Sequence, residues 1–208
     1  MRPLLFAVAL AALIGSLTAR SFADENAITV ERTNTWPFTL DVHVLLGAEP
    51  HGQGTPIAFG IGGEGLWHGW LGVFVSLLAS EGTPIVVSSK KPSLADRISV
   101  PFGFAVRPFG PMAARRDGWG WRLLGGLGLQ AGVTIEHLRS TDDDTTTAGL
   151  HLGAELDVPL YGGPTQGGVA LRLAGRLIVA PAITLETNKS IAEPITSGQL
   201  FAGICYTP

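Results

Sequence analysis

Eight stretches of this chain alternate apolar and non-apolar residues with a period of two. Within all eight, the charged residues keep to one side. The clearest is LHLGAELDVPL, Leu150–Leu160: Leu150, Leu152, Ala154, Leu156, Val158 and Leu160 share one face, and His151, Glu155 and Asp157 share the other. Period two is the signature of a strand with two unlike faces. The other stretches run over Leu40–Glu49, Ile57–Glu64, Leu71–Ser80, Ile98–Arg107, Trp121–Glu136, Val169–Val179 and Leu200–Tyr206. Together they set Asp41, His43, Glu64, Arg107, Arg122, Glu155, Asp157, Arg172 and Arg176 on the non-apolar face. In a soluble sheet the leucines would face a core and these charges would face water. In a membrane barrel the leucines face lipid and the charges a polar lumen. The strictness of the separation favours lipid, where an Arg or Lys at the bilayer midplane costs about 2–4 kcal/mol.

Composition points the same way. Charged residues make up 15% of the chain, against about 25% in soluble domains. The 28 glycines are spread through the apolar stretches. A net charge of -3 gives no basic patch for nucleic acid. The single cysteine, Cys205, excludes an intramolecular disulfide and reads as a small apolar residue. Residues 1–23 read as a cleavable signal peptide: Arg2, an apolar run Leu4–Ala19, then Ser21-Phe22-Ala23. Residues 24–38 read as a short periplasmic lead-in and 39–208 as the barrel. No later apolar run could span as a helix, so any crossing must be by strands. Strands cross lipid only in a closed barrel, which leaves no backbone group unpaired. Eight crossings of about 9–11 residues satisfy that requirement.

Aromatic residues gather at one predicted rim. Trp36, Trp67, Trp70, Trp119, Trp121, Tyr161 and Tyr206 all fall at or near the end that holds both termini, as a periplasmic aromatic girdle would. Connections at that end are expected to be short: Trp67–Trp70, Phe109–Gly118 and Tyr161–Gly168. Those at the other end are expected to be longer and more polar, Glu81–Asp96, His137–Thr147 and Pro181–Gly198, with only the first, around Pro50–Thr55, short.

In this architecture, and in its last strand QLFAGICYTP, the chain resembles the small eight-stranded outer-membrane β-barrels of the OmpA/OmpX-like group over Thr39–Tyr206. It departs from that pattern at the end, where Tyr206 stands two residues before a final Pro208. The resemblance implies an all-β, eight-stranded antiparallel up-and-down transmembrane barrel in the bacterial outer membrane. Its expected partners are outer-membrane lipid, lipopolysaccharide and the barrel-assembly machinery; nucleic acid is not expected, and the chain is expected to be a monomer.

The inward charges are expected to form a lumenal ion-pair network that plugs the barrel. A hairpin symmetric about Pro164-Thr165 would set Asp157 opposite Arg172, with Glu155 diagonal to Arg172 and Arg176. An ion-conducting pore is the rival use of the same residues. GIGGEG, Gly60–Gly65, fits G-x-G-x-x-G, but a phosphate cradle needs a following helix, and Leu66-Trp67-His68-Gly69-Trp70 carries no helix signal. A lipid-modifying site could be built from His137 and Ser140 with Glu136 and His151, although the spacing H-L-R-S matches no hydrolase pattern. No catalytic residue, metal site or cofactor is expected, and Asp142-Asp143-Asp144 reads as solvated loop. The remaining alternative is a secreted lipocalin-like barrel, with the leucine faces turned inward around an apolar ligand.

Overall fold

The computed structural model describes residues 38–50, 55–85, 93–113, 115–116, 118–139, 144–163, 167–181, 183–185, 190–192 and 195–207. The expected signal peptide, the lead-in up to Pro37 with Trp36, and Ser140, Asp142 and Asp143 lie outside these residues. Eight long strands are β1 (Phe38–Ala48), β2 (Ile57–Trp67), β3 (Leu71–Ile85), β4 (Ser93–Val106), β5 (Leu127–Arg139), β6 (Asp144–Gly163), β7 (Gly167–Ala180) and β10 (Ile195–Thr207). They close in the order β1-β10-β7-β6-β5-β4-β3-β2. Every pairing is antiparallel, and the first and last strands form the seam. A small hairpin, β8 (Ile183–Leu185) with β9 (Ser190–Ala192), sits between β7 and β10. Two short helices, α1 (Gly110–Ala113) and α2 (Trp119–Gly125), lie between β4 and β5.

The alternation decides which way each face points, and here burial is inverted relative to a soluble protein. Leu46, Leu150 and Leu200 are 62%, 64% and 65% exposed, whereas Arg97 and Arg172 are 1% and 0%. On β6 the outward side chains are apolar from Ala148 to Leu160. That run is about 40 Å long at roughly 3.4 Å per residue. Tilted by about 45°, it spans close to the roughly 30 Å of hydrocarbon in a bilayer. No helix among the described residues is long and apolar enough to cross a membrane.

Glycine permits close approach where strands meet. A Cβ on Gly72 would run into the carbonyl of Gly65, and Gly103 and Gly132 face each other across β4 and β5 with no room for a side chain on either. The β2–β3 turn needs positive φ at both central residues, His68 (49°) and Gly69 (71°). That geometry matches the twist of a hairpin, and Trp70 N–H closes it onto the Trp67 carbonyl at 3.2 Å. On β6–β7, Asp157 pairs with Arg172 as a hairpin centred on Pro164-Thr165 requires, and a bulge between Pro159 and Tyr161 then shifts the register.

Several expectations are corrected. The fifth strand begins at Leu127, not Trp121. Leu123 and Leu124 are adjacent apolar residues that suit a helix, and Gly126 N–H closes α2 onto the carbonyls of Arg122 and Leu123. Arg122 therefore lies exposed on α2, outside the lumen. The β4–β5 connection, expected to be short, runs from 107 to 126. At the opposite end the strands outlast the hydrocarbon: β3, β4 and β6 reach Ile85, Ser93 and Asp144, so two connections expected to be long are mostly strand. The one-sided charge rule ends there too. Asp96 pairs with Arg139, and Arg139 with Asp144, and with His137 they occupy outward positions past the apolar belt. Above the hydrocarbon, water removes the penalty on an outward charge.

Candidate functional site: the barrel lumen

Inward positions near the end that holds Thr207 build a dense ion-pair cluster. Arg107 follows β4 and reaches across the lumen: Nη2 lies 2.6 Å from Asp41 Oδ2 and 2.9 Å from Asp157 Oδ2, and Nε donates to Glu64 Oε1 at 3.0 Å. Arg172 on β7 holds Asp157 in a fork, with Nε and Nη2 each donating at 2.7 Å. Its Nη1 lies 3.3 Å from Glu155 Oε2 and donates to His43 Nδ1 at 2.8 Å. Gln130 on β5 donates to both Glu64 (3.2 Å) and Glu155 (3.0 Å). Thr207, the last residue of β10, donates to Asp41 Oδ1 at 2.6 Å. Asp41, Glu64, Glu155 and Asp157 thus share Arg107 and Arg172 as counter-charges. Inward glycines make room: a Cβ on Gly128 would lie 2.8 Å from Glu155 Cγ, and one on Gly62 2.6 Å from His43 Nε2.

A second cluster lies toward the other end. Arg97 on β4 donates to Glu49 Oε1 at 2.6 Å, to Glu136 Oε2 at 2.6 Å and to Ser197 Oγ at 2.8 Å. Thr134 and Ser99 also donate to Glu136, and Gln199 donates to Glu49 at 3.2 Å. Sequence reading set Glu49 and Glu136 on the inward side but began the fourth stretch at Ile98, one residue short of the Arg97 that joins them. Arg97 continues the inward parity of Ser99, and Glu49 that of Leu45 and Gly47.

Between the two lies an apolar cluster of Leu45, Ala58, Leu78, Ala174 and Phe201. On β1, Leu45 separates His43 from Glu49 just past the strand's end; on β3, Leu78 separates Ser76 from Ser80; on β10, Phe201 separates Gln199 from Thr207. Arg176 stands at this level, its guanidinium 5.3 Å from the centre of the Phe201 ring and Nη2 donating to Ser76 Oγ at 3.4 Å. His151 packs against Phe74 with ring centres 5.2 Å apart.

The structure places Asp41, His43, Glu64, Arg107, Glu155, Asp157, Arg172 and Arg176 together in the lumen and leaves Arg122 outside it. Of the aromatic set, Trp67, Trp70, Trp119 and Tyr161 are exposed at the rim where β2 and β6 end and β3 begins, and Trp121 and Tyr206 are partly covered there. The residues considered for lipid chemistry do not converge. Glu136 and His151 are buried in the lumen, whereas His137 faces outward and lies 3.1 Å from Asp144. Asp41, Asp157 and Cys205 bring potential ligand atoms within 4.8 Å of one another. Arg107 and Arg172 already occupy those aspartates, so a metal cation would meet two guanidinium groups.

A closed eight-stranded antiparallel barrel with an apolar exterior and a charged interior is the fold of the small outer-membrane β-barrels. The crystal structure of Neisserial surface protein A (NspA) is similar at 13% identity, with a TM-score of 0.52, over 82% of this chain and 97% of that one. Ail, the attachment invasion locus protein of Yersinia pestis, aligns over the same shares at 12% identity with a TM-score of 0.43. No family model matches the chain, and no curated protein does.

Proposed function

We propose that this protein is a bacterial outer-membrane barrel with a closed lumen, which serves the envelope through its rigidity and through the loops it presents outside. The observation that carries this reading is the layered interior: two buried ion-pair clusters with Leu45, Leu78 and Phe201 between them. Hydrated ions would have to break both clusters and cross an apolar constriction. The ion pairs need not add net stability, because desolvation offsets the Coulomb gain. They do fill the lumen with groups that cannot leave without exposing a partner. A lipocalin-like binder would need an apolar cavity inside, and that space is taken by carboxylates and guanidinium groups.

Lipid and lipopolysaccharide are the surroundings that the exposed leucine belt fits. The barrel-assembly machinery is the partner proposed for β10, whose outward Leu200, Ala202, Ile204 and Tyr206 form its lipid-side edge at the seam. The test is to refold the chain from Asp24 into detergent micelles and compare boiled and unboiled mobility on an SDS gel. The folded protein is then placed in planar bilayers. A heat-modifiable band with no steady conductance is expected. Large, steady channels would overturn the closed lumen, and folding in plain buffer would overturn the membrane reading.

A further inference from the structure

The β4–β5 connection, residues 107–126, lies at the end of the barrel that holds both the start of β1 and the end of β10. It is far longer than the β2–β3 turn at the same end, and α2 within it packs against β5 and β6. Asp157 N–H donates to the Gly126 carbonyl at 2.9 Å and Arg107 N–H to the Trp70 carbonyl at 2.6 Å, so both ends of the connection are tied to neighbouring strands. Its large exposed side chains, among the described residues, are of two kinds. Met112, Trp119 and Leu124 are large and apolar, with Trp119 63% exposed. Arg115, Arg116 and Arg122 are exposed and basic. The Arg116 guanidinium lies 4.4 Å from the centre of the Trp121 ring.

Neither water nor hydrocarbon alone accommodates that mixture. Open solvent would leave Trp119, Met112 and Leu124 wetted, and the acyl region would strand three arginines. The headgroup level suits both, since amphipathic segments lie there with apolar side chains below and basic ones beside the phosphates. The connection is also continuous with the apolar belt, entering from outward Val106 and leaving into outward Leu127. We propose that this connection is an interfacial anchor that binds anionic phospholipid headgroups of the periplasmic leaflet. Arg115, Arg116 and Arg122 contact the phosphates and Trp119 is seated among the upper acyl carbons. The proposal rests on the outer-membrane reading above.

The chain from Asp24 is refolded in detergent micelles, given phosphatidylglycerol or phosphatidylcholine, and examined by native mass spectrometry. The wild type is expected to retain phosphatidylglycerol in preference to phosphatidylcholine. Each arginine near an anionic surface contributes roughly five-fold, so the triple variant R115Q/R116Q/R122Q is expected to lose at least ten-fold of that preference. In vesicles, lipids brominated on the upper acyl carbons are expected to quench wild-type tryptophan emission more than that of Trp119→Phe. Unchanged preference in a triple variant that still shows heat-modifiable mobility would overturn the anchor and leave the barrel reading standing; so would equal quenching of Trp119→Phe. A wild-type chain that folds in plain buffer with no heat-modifiable band would overturn both.

Discussion

Arg172→Met gives the sharpest test of the lumenal chemistry. Arg172 is fully buried, forks onto Asp157 with two bonds of 2.7 Å, reaches Glu155 at 3.3 Å and donates to His43 at 2.8 Å. Methionine fills much of the volume and removes the charge. Asp41, Glu64, Glu155 and Asp157 would then share only Arg107, and the His43 ring would lose its donor. Removing one partner of a buried ion pair costs about 3–5 kcal/mol, because the other charge stays buried without compensation. The double variant R172M/D157L removes both halves of the fork and should recover a large part of that loss. The assay is urea unfolding of the barrel in lipid vesicles, followed by tryptophan emission and by gel mobility. A fall in the unfolding midpoint with unchanged slope reads as lost stability. If Arg172→Met costs less than about 1 kcal/mol, the pair behaves like one at a protein surface. The lumen would then be wet, and the argument for a plug would fail.

Three further outcomes follow from the geometry. Leu152→Arg sets a cation in the middle of the exposed belt and should cost about 2–4 kcal/mol by vesicle unfolding, whereas His137→Arg, beyond the belt, should cost about 0–1 kcal/mol. Gly62→Ala pushes a methyl group to within 2.6 Å of His43 Nε2 and against Ser76 Oγ. Overpacking of that kind costs about 1–3 kcal/mol, and an unaltered midpoint would show that this part of the lumen has slack. Phe201→Ser with Leu45→Ser removes two large side chains from the apolar layer and should raise conductance in planar bilayers above the wild-type baseline; equal baselines would assign the block to the ion pairs alone.

The alternation made most of the barrel legible, because lipid tolerates so few exceptions on the outward face. Leu150–Leu160 could be assigned to a strand from residue spacing alone, and the assumption of a hairpin symmetric about Pro164-Thr165 set Asp157 opposite Arg172. Legibility failed where the membrane stops imposing its rule. Asp96, Arg139 and Asp144 break the pattern because water surrounds them, so the outer lengths of β4, β5 and β6 read as loop. Trp121 and Leu123 kept the correct parity by coincidence, and the helix that holds them was hidden by the strand beyond it. The second ion-pair cluster was hidden differently. Glu49 follows β1 while Arg97 and Glu136 lie on β4 and β5, and their meeting depends on the stagger of a closed barrel, which no local pattern records.

The seam has a consequence in time. Asp41 stands on the first strand and Glu49 just past its end, and each takes a hydrogen bond from the last: from Thr207, 166 residues along the chain, and from Gln199, 150 residues along. Until β10 arrives, neither acid has these partners, and such distant contacts form slowly. A chain cut short before its final strand would carry both acids beside an open edge. The cations that balance these acids, Arg107 and Arg97, arrive earlier in the chain, so completion of the polypeptide and saturation of its first acids with hydrogen bonds are one event.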